Sequence, residues 1–443
     1  MDTWFLFGII LFTLVLSFQL MYVIVSLWTM KGTLPPNSDI EELKMSILIP
    51  SYNEEEVLRS CLAGIQNLRY TNYEVIIIND GSSDRTFSIL YELLELVPVI
   101  LKPHNRLTYN SVKMTYHSRL HTNIVVIDKY NGGKADSLNA GSDYATGDVL
   151  ITLDADSILE ANSLNYMNEE FQDELILAAG GTVQVGQMMK EGKPVFQGKY
   201  LLKYQLSEYI SSFFVRKYVQ SRFNMLAIVS GAFGAFRREM LYEINGYKKT
   251  IGEDMEITLH IQKYMAARAK QYRMVFIPQA VCYTEAPESI RDIFKQRIRW
   301  QKGFIDCIVK YRKDFVQTLR PTFSLFLFWD SLGMALLGIM TVIAVPVMIL
   351  MNGVTPFYLF CLALSIAMQF IFRATGYWAA AKYGHRYSVI SYIRIYMFFF
   401  LECLIRPIVD SIIFLYATSS YFLQKDKHQW NKVKRIGSVT YHS

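Results

Sequence analysis

Residues 44–318 predict an α/β domain on a mostly parallel sheet, with membrane-length apolar helices before and after it. Three observations predict this. Short runs that are apolar throughout alternate with helix-like segments, as strands buried on both faces do. Several of these runs end in Asp-, Gly- and Ser-rich turns, where ligand-binding loops of parallel sheets gather. Long, charge-poor stretches flank the whole.

Trp4 to Trp28 carries no charge and is long enough to cross a ~30 Å hydrocarbon core. Asp2 precedes it and bulky residues follow, so an uncleaved anchor is expected rather than a leader with a basic start. Lys31 to Glu42, with Pro35-Pro36, reads as a linker. Lys44 to Pro50 predicts a strand, then the turn Ser51-Tyr52-Asn53 and an acidic helix start at Glu54-Glu55-Glu56. Tyr73 to Asn79 is a second strand, ending at Asp80-Gly81-Ser82-Ser83-Asp84. Val99–Lys102, Asn123–Asp128 and Val149–Leu153 predict further strands, and Lys134–Ala145 a helix of small residues. His104 to Thr122 reads as a solvated insertion; His104, His117 and His121 are too irregularly spaced to suggest a metal site.

Three more apolar stretches, Phe323–Leu350, Phe357–Ala381 and Ile393–Phe422, close the chain. The predicted organisation is a transmembrane helix (1–30), a linker (31–43), a cytoplasmic domain (44–318), a transmembrane region (319–424) and a basic tail (425–443). Asp2 outside and Lys31 inside orient the first span, and the basic loop Lys382–Arg386 also reads as cytoplasmic, with Asn352–Thr355 outside. The tail, with Lys425, Lys427, Lys432, Lys434 and Arg435, reads as cytoplasmic too, yet three full crossings would place it outside. One C-terminal segment is therefore expected to be interfacial or re-entrant, or Ile393–Phe422 to hold a double pass.

The chain has 443 residues, 52% of them hydrophobic, and a net charge of +6 carried in part by the membrane-flanking lysines and arginines. No basic stripe on a recognisable module points to nucleic acid. The five cysteines are scattered without any Cys-x-x-Cys spacing, which excludes a disulfide frame or a zinc site.

The chemistry sits in a few motifs. Asp80, at the end of a strand, is placed either to accept hydrogen bonds from a ligand or to cap a turn. Asp154 and Asp156, separated by Ala155, point the same way in extended chain, and such oxygen ligands suit a hard divalent cation with a diphosphate. Gly132-Gly133-Lys134 opens a helix whose amides favour an anion. Glu253-Asp254 begins the predicted helix Met255–Ala267, complementing its dipole or supplying a general base. Ser230 to Arg238 mixes small residues and aromatics, reading either as a core strand or as a surface for a flat ligand. Gln296, Arg299 and Trp300 fall within one and a half helical turns, offering charge-assisted bonds and an aromatic face. Glu402, Arg406 and Asp410 recur at i, i+4 and i+8 inside an apolar stretch; a bracing ion-pair ladder and a polar path fit equally.

The ordered set Asp80, Asp154-Ala155-Asp156, Glu253-Asp254 and Gln296-x-x-Arg299-Trp300, followed by a long hydrophobic region, resembles the processive, membrane-embedded inverting glycosyltransferases of family 2. That group contains the cellulose, chitin, hyaluronan and poly-N-acetylglucosamine synthases, and the resemblance covers roughly residues 45–305. It implies a GT-A type, Rossmann-like catalytic domain. It implies that Asp80 contacts the uridine of a UDP-sugar, with Ser51, Tyr52 and Glu54 opposite and Lys134 nearby. Asp156, with Asp154, would bind Mg²⁺ or Mn²⁺, and Asp154, Gln296 and Arg299 would face the nucleotide-sugar. Asp254, beside Glu253, would be the base, and Gly231, Phe233 and Trp300 would meet the acceptor. The family pattern is Thr-Glu-Asp; here Gly252 stands in place of the Thr.

Ala286-Pro287-Glu288-Ser289 and the short architecture look most like the poly-N-acetylglucosamine synthases. The expected function is polymerisation of UDP-N-acetylglucosamine into an exported cell-surface polysaccharide at the plasma membrane. Its expected partners are the UDP-sugar, the growing polymer, membrane lipid and a small accessory membrane subunit. The alternatives are a non-processive transferase adding one sugar to a lipid, and an inactive export or assembly scaffold.

Overall fold

A ten-stranded mixed sheet forms the centre of the protein in this computed structural model, which describes residues 3–37, 39–333, 335, 338, 347, 349–350, 353–423, 437 and 439. The strands are β1 (Met45–Ser51), β2 (Tyr73–Asn79), β3 (Leu96–Val99), β4 (Val112–Ser118), β5 (Ile124–Lys129), β6 (Val149–Leu153), β7 (Ser157–Leu159) and β8 (Ile176–Val185). A small separate hairpin, β9 (Met189–Lys190) and β10 (Lys193–Pro194), precedes β11 (Phe233–Arg237) and β12 (Arg273–Thr284). Their order is β3-β4-β5-β2-β1-β6-β11-β8-β12-β7. Within this sheet β4, β7 and β11 alone run against the other strands, so it is mostly parallel.

The central strands are buried because they are apolar throughout: Ile47, Leu48, Ile76, Ile77, Leu150 and Ile151 are almost wholly shielded. β1, β2 and β6 run in parallel and end beside one another at Ser51, Asn79 and Leu153. Their carboxyl ends therefore share one edge.

Several expectations need correction. The polar His104–Thr122 segment is not simply an insertion, because β4 lies within it and pairs with both β3 and β5. Its polar side chains are used internally: Ser118 Oγ donates to Leu94 O at 2.7 Å and Thr115 Oγ1 donates to Val99 O. The strand expected at Val99–Lys102 lies earlier, at Leu96–Val99. The helix expected from Glu54 begins only at Leu58. The Glu54 N–H donates to Thr86 Oγ1 (2.7 Å) and the Glu55 N–H to Asp84 Oδ2 (3.4 Å), which holds this stretch as a turn against the Asp80–Asp84 loop.

Seven helices matter for the site and its support: α1 (Thr3–Thr29), α2 (Lys134–Tyr144), α3 (Tyr200–Ser211), α4 (Glu253–Ala266), α5 (Ile290–Lys310), α6 (Pro356–Lys382) and α7 (Val389–Leu423). α1 and α6 contain spans long and apolar enough to cross a membrane, Ile9–Thr29 and Pro356–Lys382. They touch through Tyr22 and Phe372, edge to face at 6.2 Å, and through Lys382 Nζ donating to Met30 O at 3.1 Å. α7 is one continuous helix with Pro407 inside it, so Ile393–Phe422 holds no double pass. Of the stretch Phe323–Leu350, residues up to 333 are helical; most of the remainder, Asn352, and the tail lysines and Arg435 lie outside the described residues.

Lys129 at the end of β5 is fully buried and pairs with Asp80 at 2.7 Å and Asp136 at 2.5 Å. Lys129→Met would strand two carboxylates beside the sheet. It is expected to cost about 3–5 kcal/mol, read as a lowered thermal midpoint. An unchanged midpoint would contradict the role given to this pair.

Candidate active site

The carboxyl ends of β1, β2 and β6 open into a cavity of about 430 Å³, closed on the far side by α3, α4 and α5. Thirteen of the fourteen candidate residues line it: Ser51, Tyr52, Glu54, Asp80, Lys134, Asp154, Asp156, Gly231, Glu253, Asp254, Gln296, Arg299 and Trp300. Phe233 is the correction. Its ring is wholly buried under the sheet, where a Cβ on Gly181 would fall 2.2 Å from it, so it cannot touch a ligand in the cavity.

Asp80 is built into the wall. Oδ1 accepts from Lys129 Nζ (2.7 Å) and the Gly132 N–H (2.9 Å), and Oδ2 from the Gly133 N–H (2.8 Å) and Asn131 Nδ2 (3.2 Å). These bonds hold the Gly132-Gly133 turn, where Gly133 adopts φ 91°, a conformation open to glycine but strained for other residues. The turn launches α2 with Lys134 as its first residue.

Lys134 Nζ lies 2.6 Å from Asp154 Oδ1 and 3.3 Å from Glu253 Oε1. Burial alone would lower this ammonium's pKa, but Asp154 and Glu253 outweigh it and hold the value above that of an ordinary lysine. Burial pushes the Glu253 carboxyl above the usual range, Lys134 pulling the other way. Gly231 is small for a reason: a Cβ there would stand 3.0 Å from Lys134 Nζ and 3.4 Å from Asp254 Cβ.

Asp156 is nearly buried, and its Oδ1 accepts from Thr284 Oγ1 at 3.1 Å and Ser157 Oγ at 3.2 Å. Asp254, in the first turn of α4, accepts the Met255 N–H on Oδ1 at 2.8 Å. α5 starts at a Ser289 cap, whose Oγ accepts the Asp292 N–H at 3.1 Å, and carries Gln296, Arg299 and Trp300 along the cavity. The Gln296 side-chain carbonyl is buried with no hydrogen-bond partner among the described residues.

Gly252 now has a physical explanation. A Cβ on it would meet Gly303 Cα at 3.2 Å, and a Cβ on Gly303 would meet Gly252 Cα at 3.0 Å. The backbone before Glu253-Asp254 thus rests directly on α5, and the threonine of the family pattern would not fit without parting them.

Sequence reasoning missed one wall. α3 and the π-helical turns Ser212–Lys217 that follow it bring Glu208, Tyr209, Phe213 and Lys217 to the cavity. Lys217 Nζ lies over the Phe213 ring, 4.5 Å from its centroid, and burial pushes its ammonium down to about 8. The available signal was a small set of charges, Glu208, Arg216 and Lys217, within an aromatic, apolar run.

Gly303→Ala is expected to destabilise the protein by about 1–3 kcal/mol, as overpacking does. Thermal unfolding measures it. A stability equal to wild type would refute the close backbone contact.

Residues 46–244 match Glycosyl transferase family 2, and residues 149–372, half of the chain, match Glycosyl transferase family group 2. The poly-beta-1,6-N-acetyl-D-glucosamine synthase of Staphylococcus aureus strain COL is 29% identical over 293 residues, 64% of this chain and 60% of that protein. The synthase of the same name from Staphylococcus epidermidis is 29% identical over 280 residues, 62% of this chain and 57% of that one. The matches thus span less than two thirds of these relatives' length. A mannosyltransferase from Pyrobaculum calidifontis, solved with GDP-Man and Mn²⁺, shares the fold: TM-score 0.57 at 17% identity, over 94% of this chain and 98% of that one. The GT-A arrangement of the sheet and the family matches together make this chain a member of the family 2 glycosyltransferases.

Proposed function

We propose that this protein is a membrane-bound, processive β-glycosyltransferase that polymerises UDP-N-acetylglucosamine into a cell-surface polysaccharide and exports it. The observation that carries the proposal is the single cavity holding Asp154, Asp156, Glu253, Asp254, Arg299 and Trp300 together. The choice of sugar is supported by the named synthases among the relatives. Location in the plasma membrane, with the sheet domain on the cytoplasmic side, is supported by the two apolar helices and by Lys31 and the Lys382–Arg386 loop.

The acceptor sugar lies on Trp300 with its hydroxyl at Asp254. Asp254 takes the hydroxyl proton, and the oxygen attacks C1 of the donor from the face opposite the diphosphate. The bond from C1 to the UDP oxygen breaks, the anomeric configuration inverts, and Arg299 receives the charge that develops on the leaving diphosphate. Glu253 and Lys134 hold the approach to Asp254 and Asp154 in place.

The donor set fits a divalent cation. Asp156 and Asp154 are hard oxygen ligands in one cavity, and Mg²⁺ commonly takes one or two carboxylates and completes its shell with phosphate oxygens and water. When bound, Mg²⁺ or Mn²⁺ would offset the diphosphate's negative charge.

Membranes containing the protein, supplied with UDP-N-acetylglucosamine and Mg²⁺, are expected to release UDP and build high-mass polymer. Asp254→Asn should lower that rate by about 10²–10⁴-fold. A single-sugar lipid product would contradict processivity, and full activity in the variant would remove Asp254 from the reaction.

Lys217 lines the cavity, and burial holds its ammonium down to about 8, with the Asp254 charge pulling the other way. Turnover should therefore fall on the alkaline side with a midpoint near 8, and Lys217→Arg should abolish that limb. Identical pH profiles for the two proteins would exclude Lys217 as its source.

A further inference from the structure

Arg297 lies between Gln296 and Arg299 in the motif helix, yet its side chain turns away to a different set of partners. Its Nη1 lies 2.5 Å from Glu208 Oε1, and its guanidinium sits over the Trp300 ring, 4.4 Å from the centroid. Among the described residues it pairs with no other carboxylate, and its Nη2 is buried without a hydrogen-bond partner. Glu208 is thus the anchor that holds this cation on the ring. One face of Trp300 is covered by Arg297, which leaves the opposite face for a ligand.

The second oxygen of Glu208 is also committed. Oε2 lies 3.3 Å from Arg406 Nη1 on α7. Arg406 in turn pairs with Glu402, donates to Tyr204 O at 2.8 Å, and lies 4.0 Å from the centroid of the Tyr204 ring. Glu402 is wholly buried, accepts Ser207 Oγ at 2.7 Å and lies 3.6 Å from Arg373 Nε on α6. Glu208 therefore sits where the helices α6 and α7, the cavity wall α3 and the Trp300 helix meet. Its side chain is 30% exposed and lines the cavity, so it is not a sealed core ion pair.

We propose that Glu208 is a positioning residue for the acceptor: it holds Arg297 against one face of Trp300 and so fixes the ring on which the acceptor sugar packs. The inference rests on the transferase reading of Trp300. Removing the carboxylate leaves two guanidinium groups facing each other without the anion between them, and Arg297 loses its hold on the ring. The consequence falls on the acceptor, because Trp300 is the ring this chain of charges holds, whereas Lys134 reaches Asp154 and Glu253, and Asp156 accepts from Thr284 and Ser157.

The test uses the full chain in membranes, with UDP-N-acetylglucosamine and a β-linked N-acetylglucosamine oligosaccharide as acceptor. Wild type should release UDP at a rate that rises with the oligosaccharide. A rate indifferent to every acceptor concentration would sink the transferase reading, and this proposal with it. Glu208→Gln should raise the acceptor KM about tenfold and move the UDP-sugar KM by less than about twofold. Glu208→Asp should recover part of the loss. Arg297→Lys, which keeps the charge but loses the planar face over the ring, should show the same split between acceptor and donor. In a Trp300→Leu background, Glu208→Gln should add less than about twofold, because the ring it acts through is gone. Equal rises in both KM values, or losses that multiply in the double variant, would overturn the proposal and leave the transferase reading standing.

Discussion

One ammonium group holds this site together. Lys134 bridges Asp154, just past the end of β6, and Glu253, next to the proposed base. Without it, the carboxylates converging on one cavity would repel one another. Two like charges 4 Å apart cost about 4 kcal/mol at an effective dielectric near 20. The same contact joins α2 to α4, elements that are far apart in sequence. Lys134 is itself aimed by Asp80, which fixes the Gly132-Gly133 turn, and Asp80 is held by the buried Lys129. Ion pairs and backbone hydrogen bonds thus run from the core of the sheet to the proposed reacting groups.

A second constraint is steric. Gly252 and Gly303 let the backbone before Asp254 lie directly on α5, so the proposed base and the Arg299-Trp300 pair share one rigid reference. Charge sets which groups converge, and the glycine contact sets how closely. On the opposite side, α3 and its π-helical continuation form a wall that belongs equally to the cavity and to the apolar helices. Here the proposed acceptor face and the packing of α6 and α7 share one set of contacts.

Much of the fold was legible because the central strands are apolar on both faces. Tyr73–Asn79 and Val149–Leu153 lie where the pattern puts them. β4 was missed because its alternating polar residues are satisfied by backbone partners visible only once β3 and β5 flank it. The helix after Glu54 was placed too early: the Glu54 and Glu55 amides donate to Thr86 and Asp84, some thirty residues away, and the chain turns there before the helix begins at Leu58. In the site, short motifs at strand and helix ends identified most lining residues. Phe233 failed because its neighbours Gly231 and Ala232, not its own ring, face the cavity. Glu208 and Lys217 carry no local motif. They reach the cavity only through the path of α3 and the turns after it.

The most direct measurement is a structure of the protein bound to UDP and Mn²⁺. The account predicts the uracil end of the nucleotide beside Ser51 and Tyr52, its diphosphate between Asp156 and Arg299, and Trp300 still under Arg297 with its other face open. UDP bound outside this cavity, or inside it with the diphosphate away from both Asp156 and Arg299, would contradict the account.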